Sequence, residues 1–284
     1  MKYFYWVSGI CLAAVLIFFF FIPAFAGNIS IPQQITFGRF AIRLYGITMA
    51  ASVLVGYLVA RHYAWRFGIS QESVDDVAFW ITIVAFLGAR VYYVAVDFGL
   101  YRNNLSEIYK IWHGGLSIYG AIISGLIFAY FYARTKAFAA FRLLDLLAVA
   151  LPLAQGLGRF GNFFNQEAFG LPTDLPWKMY VDAAHRPAAY IQASFFHPTF
   201  LYEALCSVII FFILVRIMRM KVLPGVLVFT YLGLYSLSRF FIEGIRLDSS
   251  YIHGIKVDQV TAVAGVLAAG VALLMIWRSA RARA

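Results

Sequence analysis

Long apolar runs separated by short polar connections dominate the hydrophobic pattern of this chain. Most runs are close to the roughly 20 residues that an α-helix needs to cross about 30 Å of hydrocarbon. We identify eight of them: Trp6–Ala26, Tyr45–Tyr63, Val77–Val96, Leu116–Ala133, Leu143–Leu157, Thr199–Val215, Val222–Ile242 and Val260–Trp277. A membrane β-barrel would require short segments of alternating polarity instead. We therefore predict an all-α, polytopic integral membrane protein.

The first apolar run differs from the other seven. Lys2 is followed by an apolar stretch and then by IPAFAG. This pattern fits a signal peptide cleaved after Ala24–Ala26, and it equally fits a retained membrane helix. We therefore divide the chain into an N-terminal hydrophobic segment, residues 1–27, and a membrane domain, residues 28–284. The membrane domain is predicted to contain seven core transmembrane helices, and the N-terminal segment is either a signal peptide or an eighth span.

The distribution of charge predicts which way the helices run. Alternate connections, together with Lys2 and the C-terminal tail, hold 12 of the 23 Lys and Arg residues but 4 of the 13 acidic residues. Their net charge of +8, against +2 for the rest of the chain, marks them as cytoplasmic under the positive-inside rule. The net charge of +10 thus reflects topology and predicts no nucleic-acid partner. The longest connection, residues 158–198, is predicted to be extracytoplasmic.

Polar side chains gather at the predicted outer ends of several spans. The fifth span leads into GLGRFGNFFNQEAFG, residues 156–170, which contains Arg159, Asn162, Asn165 and Glu167. The seventh span ends in SRFFIEGIRLD, where residues three and four apart share one helical face. Its polar members are Arg239, Glu243 and Arg246. Other outer ends contribute Tyr45, Arg90, His113, Ser117, Tyr119, His197, Tyr202 and Glu203.

Taken together, these residues predict a cavity that binds an anion. A single arginine or tyrosine at the end of a span is explained by anchoring to lipid head groups. Anchoring does not explain carboxylates beside arginines, because each charge at membrane depth costs about 2.5–3.5 kcal/mol on insertion scales. Guanidinium groups match phosphate oxygens, so an anionic lipid head group is the simplest ligand. The histidines and carboxylates lack the spacing of a metal site, and no cofactor is implied.

Two other classes of protein are compatible with charges at membrane depth. A transporter or flippase for an anionic lipid would also place arginines there, but it commonly shows internal repeats and helices broken near the midplane. We find no internal repeat in the sequence, and the polar groups are concentrated toward one side. A purely structural scaffold does not account for paired charges at the ends of spans. Chemical conversion of an anionic lipid would distinguish an enzyme from a transporter.

The segment GRFGNFFNQEAFG resembles the signature of the bacterial prolipoprotein diacylglyceryl transferases. RLYGI, WHGGLSIYGA, FHPTFLYE and RFFIEGIRLD resemble other blocks of that family in the same order, so the similarity covers roughly Ile29 to Trp277. The resemblance implies seven spans and a site at the outer face of the bacterial inner membrane. It also implies transfer of a diacylglyceryl group from phosphatidylglycerol to the lipobox cysteine thiol of a prolipoprotein signal peptide, with release of glycerol phosphate.

Carried over by position, the resemblance implies roles for individual residues. Arg159 and Arg239 match the essential arginines of the family. The other functionally important positions correspond to Tyr45, Asn162, Glu167, Gly170, Glu243 and Arg246. Two positions depart from the family pattern: Tyr119 stands where some members have histidine, and Asp258 stands where glycine is expected.

These observations lead to one mechanistic hypothesis. The lipid phosphate lies between Arg159 and Arg239, with Arg246 as a further candidate, and the cysteine thiolate attacks the glycerol carbon that bears the phosphate ester. A base is needed because a free thiol has a pKa near 8.5. The candidate bases are Glu243, Glu203, His197 and Tyr119, of which Tyr119 is better suited to orient a substrate. We predict catalytic roles for Arg159, Arg239, Glu243 and Tyr119. The predicted substrate-binding residues are Tyr45, Asn162, Asn165, Glu167, Gly170, Arg246, Glu203 and His197.

Overall fold

Helices form most of the protein. The computed structural model describes residues 17–38, 40–136, 138–220, 222–252 and 254–282. The helices are α1 (Ile22–Ala26), α2 (Leu44–Tyr63), α3 (Gln71–Val96), α4 (Ile118–Thr135), α5 (Ala140–Asn165), α6 (Thr199–Met218), α7 (Val226–Ile245) and α8 (Val257–Arg281). Within the described ranges, seven helices, α2 to α8, are long and apolar enough to cross a membrane. The predicted all-α class and seven core spans are therefore confirmed.

The described part of the first apolar run is short. A π-helical turn, Ile17–Phe21, leads into α1, which ends at Gly27 in a left-handed backbone conformation with φ of 77°. Glycine adopts this conformation without the strain that a Cβ would introduce. The rest of the predicted run Trp6–Ala26 lies outside the described residues, so the choice between signal peptide and eighth span stays open.

Most helix boundaries differ from the sequence prediction by a few residues, and two of these differences have a clear physical cause. Helix α5 continues past Leu157 to Asn165, so the predicted connection 158–198 begins with two further turns of helix. The polar residues of these two turns can lie in a helix at the end of a span because their side chains are paired in the site described below. Helix α7 begins at Val226 instead of Val222. The Asp145 carboxylate accepts the backbone amides of Gly225 and Val228 at 2.7 and 2.8 Å, which stabilises the exposed N–H groups at this helix start.

The chain forms two compact units, each with its own core. The first contains the described parts of Met1–Val55, Leu151–Arg216 and Phe229–Ala284, and the second contains Gly56–Ala150 with Ile217–Val228. The core of the first is largely aromatic and includes the fully buried Phe163, Phe196 and Phe200. The core of the second is built from small and aliphatic residues, among them Ala64, Ala133, Leu143 and Leu146.

In the part of the chain that the structure describes, three short antiparallel hairpins lie between helices. β1 (Gln34–Phe37) pairs with β2 (Phe40–Arg43), β3 (Met179–Tyr180) with β4 (Phe195–Phe196), and β5 (Tyr251–Ile252) with β6 (Ile255–Lys256). The β3–β4 hairpin belongs to the connection between α5 and α6, whose start is attached to the end of α7 by an antiparallel bridge between Gly170 and Arg246. This attachment brings the ends of α5, α6 and α7 together.

Candidate functional site

The last two turns of α5 have one polar face and one aromatic face. Phe160, Phe163 and Phe164 join the aromatic core of the first unit. Arg159 and Asn162 are three residues apart and therefore project from neighbouring positions on the helix surface. Burial of the phenylalanines fixes the rotation of the helix and so determines where Arg159 points.

Glu203 joins three arginines. Its Oε2 lies 2.5 Å from Nη2 of Arg159, whereas its Oε1 lies 3.0 Å from Nη1 of Arg239 and 3.2 Å from Nη1 of Arg246. The carboxylate comes from the first turn and a half of α6, Arg159 comes from α5, and Arg239 comes from α7. The side chain of Glu203 is 5% exposed. The structure thus brings Arg159 and Arg239 onto the two oxygens of a single buried carboxylate.

Arg239 and Arg246 have further acidic partners. Nη2 of Arg239 lies 2.7 Å from Oε2 of Glu243 and 3.1 Å from Oδ2 of Asp258. Arg246 makes a two-pronged contact with Asp248, with nitrogen–oxygen distances of 2.9 and 2.7 Å. Glu243 is fully buried. We call these seven side chains, with Lys256, the arginine–carboxylate cluster: Arg159, Glu203, Arg239, Glu243, Arg246, Asp248, Asp258 and Lys256.

The charges of this cluster compensate one another. Three guanidinium groups face four carboxylates, and the ammonium group of Lys256 donates to the carbonyl oxygens of Glu243 and Arg246 at 2.6 and 3.1 Å. Four positive and four negative groups make the cluster neutral, which is what allows so many ions to be buried. Lys256 also satisfies carbonyl groups at the C-terminal end of α7, where a cation is favourable.

Local interactions also shift the titration of the two cluster residues that follow α7. Burial by itself would lower the pKa of Arg246, but the hydrogen bond and charge of Asp248, followed by the charges of Glu203 and Glu243, raise it above the ordinary value. Burial would raise the pKa of Asp248, but the hydrogen bond and charge of Arg246 outweigh it and hold that pKa below its ordinary range. Both residues are therefore ionised at neutral pH.

A second polar group adjoins the end of α5. The Asn162 and Asn165 amides donate to Oε1 of Glu167 at 2.9 and 3.4 Å. The charges of Glu167 and Arg159 both act on the Tyr45 hydroxyl. A Cβ at Gly161 would lie 2.8 Å from the ring of Tyr45, so glycine is what allows this tyrosine to lie so close to α5. A cavity of about 300 Å³ is lined by Asn165, Gln166, Glu167, Ala168, Phe169, His185, Pro187, Leu247 and Asp248.

Gly170 holds the connection after α5 against the end of α7. Its amide donates to the carbonyl of His197 at 2.9 Å, and the amide of Leu171 donates to the carbonyl of Ile245 at 2.9 Å. A Cβ at Gly170 would lie 2.9 Å from both the His197 Cβ and the Ile245 carbonyl oxygen. Only glycine fits here without displacing the backbone that precedes Arg246.

We therefore expect Gly170→Ala to destabilise the protein by about 1–3 kcal/mol, the usual cost of overpacking a well-packed position, and to lower activity by displacing Arg246. Thermal unfolding of the purified protein in detergent measures the first effect. Gly270→Ala in α8 is the matched control, because a Cβ there meets nothing within 4 Å and alanine favours a helix. Equal unfolding temperatures for the two variants would contradict the steric role.

His197 is part of a hydrogen-bonded aromatic group. Its Nδ1 lies 3.0 Å from the hydroxyl of Tyr202, which also accepts a 2.8 Å hydrogen bond from Nε1 of Trp177. Burial lowers the pKa of His197, so the ring is neutral at pH 7. In these contacts His197 orders the start of α6 and thereby the position of Glu203.

Arg90 and Tyr119 lie in the second unit. The guanidinium of Arg90 donates to the carbonyl oxygens of Glu107, Ile108, Gly114 and Gly115 at 2.6–2.8 Å. Four of its five N–H groups are thus used by the connection before α4, so Arg90 organises that connection. The expectation that Arg90 also lines an anion site stays a prediction. Tyr119 is 47% exposed near the ring of Tyr92, and its predicted catalytic role stays a prediction.

Three members of the cluster were not predicted from the sequence as residues of the site. Asp248 follows Arg246 by two residues, a spacing that signals a local ion pair, and Lys256 and Asp258 flank the start of α8. Asp258 was recognised only as a departure from the family pattern. Its contact with Arg239 depends on how α8 packs beside α7, which the sequence does not display.

In the described residues, seven apolar helices define a polytopic membrane protein, and the arginine–carboxylate cluster lies in its first unit. The sequence profile of the family described as prolipoprotein diacylglyceryl transferase matches residues 32–277. Proteins with the name phosphatidylglycerol–prolipoprotein diacylglyceryl transferase are also similar. The one from Fervidobacterium nodosum is 42% identical over 250 residues, covering 87% of this chain and 86% of its own. The one from Thermotoga petrophila is 41% identical over 264 residues, covering 92% and 90%.

A third relative of the same name, from Synechococcus elongatus, is 40% identical over 252 residues, covering 87% of this chain and 86% of its own. The chain belongs to the prolipoprotein diacylglyceryl transferase family. The resemblance found in the sequence motifs is thereby confirmed.

Proposed function

We propose that this protein transfers the diacylglyceryl group of phosphatidylglycerol to the thiol of the lipobox cysteine of a prolipoprotein, at the extracytoplasmic face of a bacterial inner membrane. Membership of the transferase family and the names of the relatives support the reaction and both substrates. The excess of basic residues on the other side of the membrane supports the orientation.

The observation that carries the proposal is the convergence of Arg159 and Arg239 on the two oxygens of Glu203. A phosphodiester has two anionic oxygens at a similar spacing, so the same two guanidinium groups can receive it. Arg159 and Arg239 retain 25% and 15% exposure, which leaves both within reach of a ligand. Asn162 and Asn165 lie at the end of the same helix as Arg159, Glu167 follows that helix by two residues, and all three bind the hydroxyl groups of the glycerol head group.

The reaction is a displacement at carbon. The thiolate sulfur attacks the glycerol carbon that carries the phosphate ester, a carbon–sulfur bond forms, and the carbon–oxygen bond breaks. The bonding electrons leave with glycerol phosphate, whose charge increases as the bond breaks. Arg159 and Arg239 hold the phosphate more strongly as that charge grows, which lowers the barrier for transfer.

The thiol proton must reach a base before or during the attack. The Glu203 carboxylate is paired with three arginines and Glu243 is fully buried, so neither is well placed to accept the proton. His197 is neutral and therefore able to accept it. Tyr119 orients the substrate peptide. Glu243 supports Arg239 through their 2.7 Å contact, and Gly170 keeps Arg246 in place.

The test is a reconstituted transfer reaction. Purified full-length protein in detergent, given phosphatidylglycerol and a lipobox peptide, is expected to convert the peptide to a diacylglyceryl thioether and to release glycerol phosphate in equal amount. Mass spectrometry of the peptide measures the first product. A peptide whose cysteine is replaced by serine is the matched control and is expected to stay unmodified. An unmodified cysteine peptide would contradict the proposal and favour the transporter alternative.

A further inference from the structure

Arg239 and Arg246 each have three carboxylate partners in the cluster. The partners of Arg239 come from three helices: Glu203 from α6, Glu243 from α7 and Asp258 from α8. Nη1 of Arg239 contacts Glu203, and Nη2 contacts both Glu243 and Asp258. A phosphate that binds these terminal nitrogens therefore competes with a carboxylate that is already there.

The three carboxylates differ in how easily they can leave. Glu243 is fully buried on the same helix as Arg239, and Glu203 is 5% exposed and also holds Arg159 and Arg246. Asp258 is 31% exposed and has the longest of the three contacts with Arg239, 3.1 Å. Water can solvate a partly exposed carboxylate once it is released, whereas a buried carboxylate left without its partner is strongly unfavourable. Asp258 is thus the partner that costs least to displace.

The charge balance also favours release of a partly exposed carboxylate, and Asp258 is the partly exposed carboxylate that contacts Arg239. The cluster is neutral before any lipid binds, since Lys256 and the three arginines compensate four carboxylates. A phosphodiester adds one negative charge and leaves the site with a net charge of −1. Movement of Asp258 toward solvent places this excess where water screens it, while Glu203 and Glu243 keep Arg239 oriented.

We infer that Asp258 is the displaceable counter-ion of Arg239, which competes with the lipid phosphate and sets the affinity of the site for anionic lipid head groups. This inference rests on the proposed function in placing a lipid phosphate at Arg239. It assigns to Asp258 a positioning role in ligand selection that is separate from the transfer step.

The inference is tested by lipid binding without the peptide. Asp258→Asn keeps the shape of the side chain and removes its charge. Because an exposed ion pair contributes up to about 1 kcal/mol, we expect the variant to bind phosphatidylglycerol about three- to fivefold more tightly than the unmodified protein. The dependence of the unfolding temperature on phosphatidylglycerol concentration in detergent gives the apparent Kd. Binding of zwitterionic phosphatidylethanolamine is expected to change much less.

Two variants complete the experiment. Asp174→Asn makes the same chemical change at a fully exposed aspartate that pairs with Lys178, and it is expected to leave phosphatidylglycerol binding unchanged. Asp258→Glu restores the charge and is expected to return the Kd toward that of the unmodified protein. If Asp258→Asn itself is unstable, Asp258→Ser removes the same charge and allows the same comparison.

Unchanged or weaker phosphatidylglycerol binding in the charge-removing variants would overturn the inference, because Asp258 would then support Arg239 instead of competing for it. The result is independent of the proposed reaction. Tighter binding combined with an unmodified peptide would leave Asp258 in its role and refute the transferase proposal. Conversely, peptide lipidation by the protein with its original sequence, together with unchanged phosphatidylglycerol binding in the Asp258 variants, would support the transferase proposal and refute the role of Asp258.

Discussion

Arg159→Lys is expected to lower kcat/KM for transfer about 100- to 1,000-fold, the usual loss when one donor to a developing negative charge is removed. Lysine preserves the charge but replaces the planar fork of N–H groups by a single nitrogen, which cannot bind two phosphate oxygens side by side. In the protein, Nη2 of Arg159 is the group that lies 2.5 Å from Glu203 and faces the second oxygen of its carboxylate. Initial rates of peptide lipidation at several phosphatidylglycerol concentrations measure the effect.

The matched control is Arg278→Lys, which makes the same substitution at an exposed arginine near the end of α8. It is expected to leave both kcat/KM and the unfolding temperature unchanged. Since lysine keeps the cluster neutral, Arg159→Lys should also unfold close to the temperature of the unmodified protein. Full transfer activity in Arg159→Lys would contradict the role of Arg159 as a phosphate ligand.

The membrane topology could be predicted because the hydropathy of a segment depends only on the residues of that segment. Most of the apolar runs are close to the length that spans a membrane, so α2 to α8 were identified without knowledge of their neighbours. The end of α5 was placed too early because Arg159 and Asn162 end the apolar run at Leu157. The charge and hydrogen-bonding groups of these side chains are paired with residues of other segments. The hydropathy of α5 alone contains no information on such pairs.

The candidate site was predicted in its residues but not in its pairing. Arg159, Glu203 and Arg239 were selected because each is an unusual charge near the end of a span. Their connection through one carboxylate depends on the rotation of α5, α6 and α7, which is set by packing of residues such as Phe163 and Phe200. Arg90 was grouped with them by depth alone. Its hydrogen bonds to backbone carbonyls depend on the course of a connecting segment that carries no periodic pattern.

The pairing through Glu203 leads to the second large expected effect, on stability. Glu203→Gln is expected to destabilise the folded protein by about 3–5 kcal/mol, because it removes a buried carboxylate that three largely buried guanidinium groups share. The amide fills nearly the same volume, so the loss reports charge and not a cavity. Thermal unfolding in detergent, followed by fluorescence of the six tryptophans, measures it.

Glu72→Gln provides the control for this substitution. Glu72 is an exposed residue in the first turn of α3, where loss of a negative charge is expected to cost less than about 1 kcal/mol. A double variant, Glu203→Gln with Arg159→Met, removes both members of one pair and should be more stable than the sum of the single losses predicts, because no uncompensated charge remains between them. Additive losses, or a Glu203→Gln variant as stable as the unmodified protein, would show that the arginines do not depend on this carboxylate. The physical reason for expecting otherwise is that three largely buried cations share this carboxylate at 2.5–3.2 Å, and only 5% of its side chain is exposed to water that could replace it.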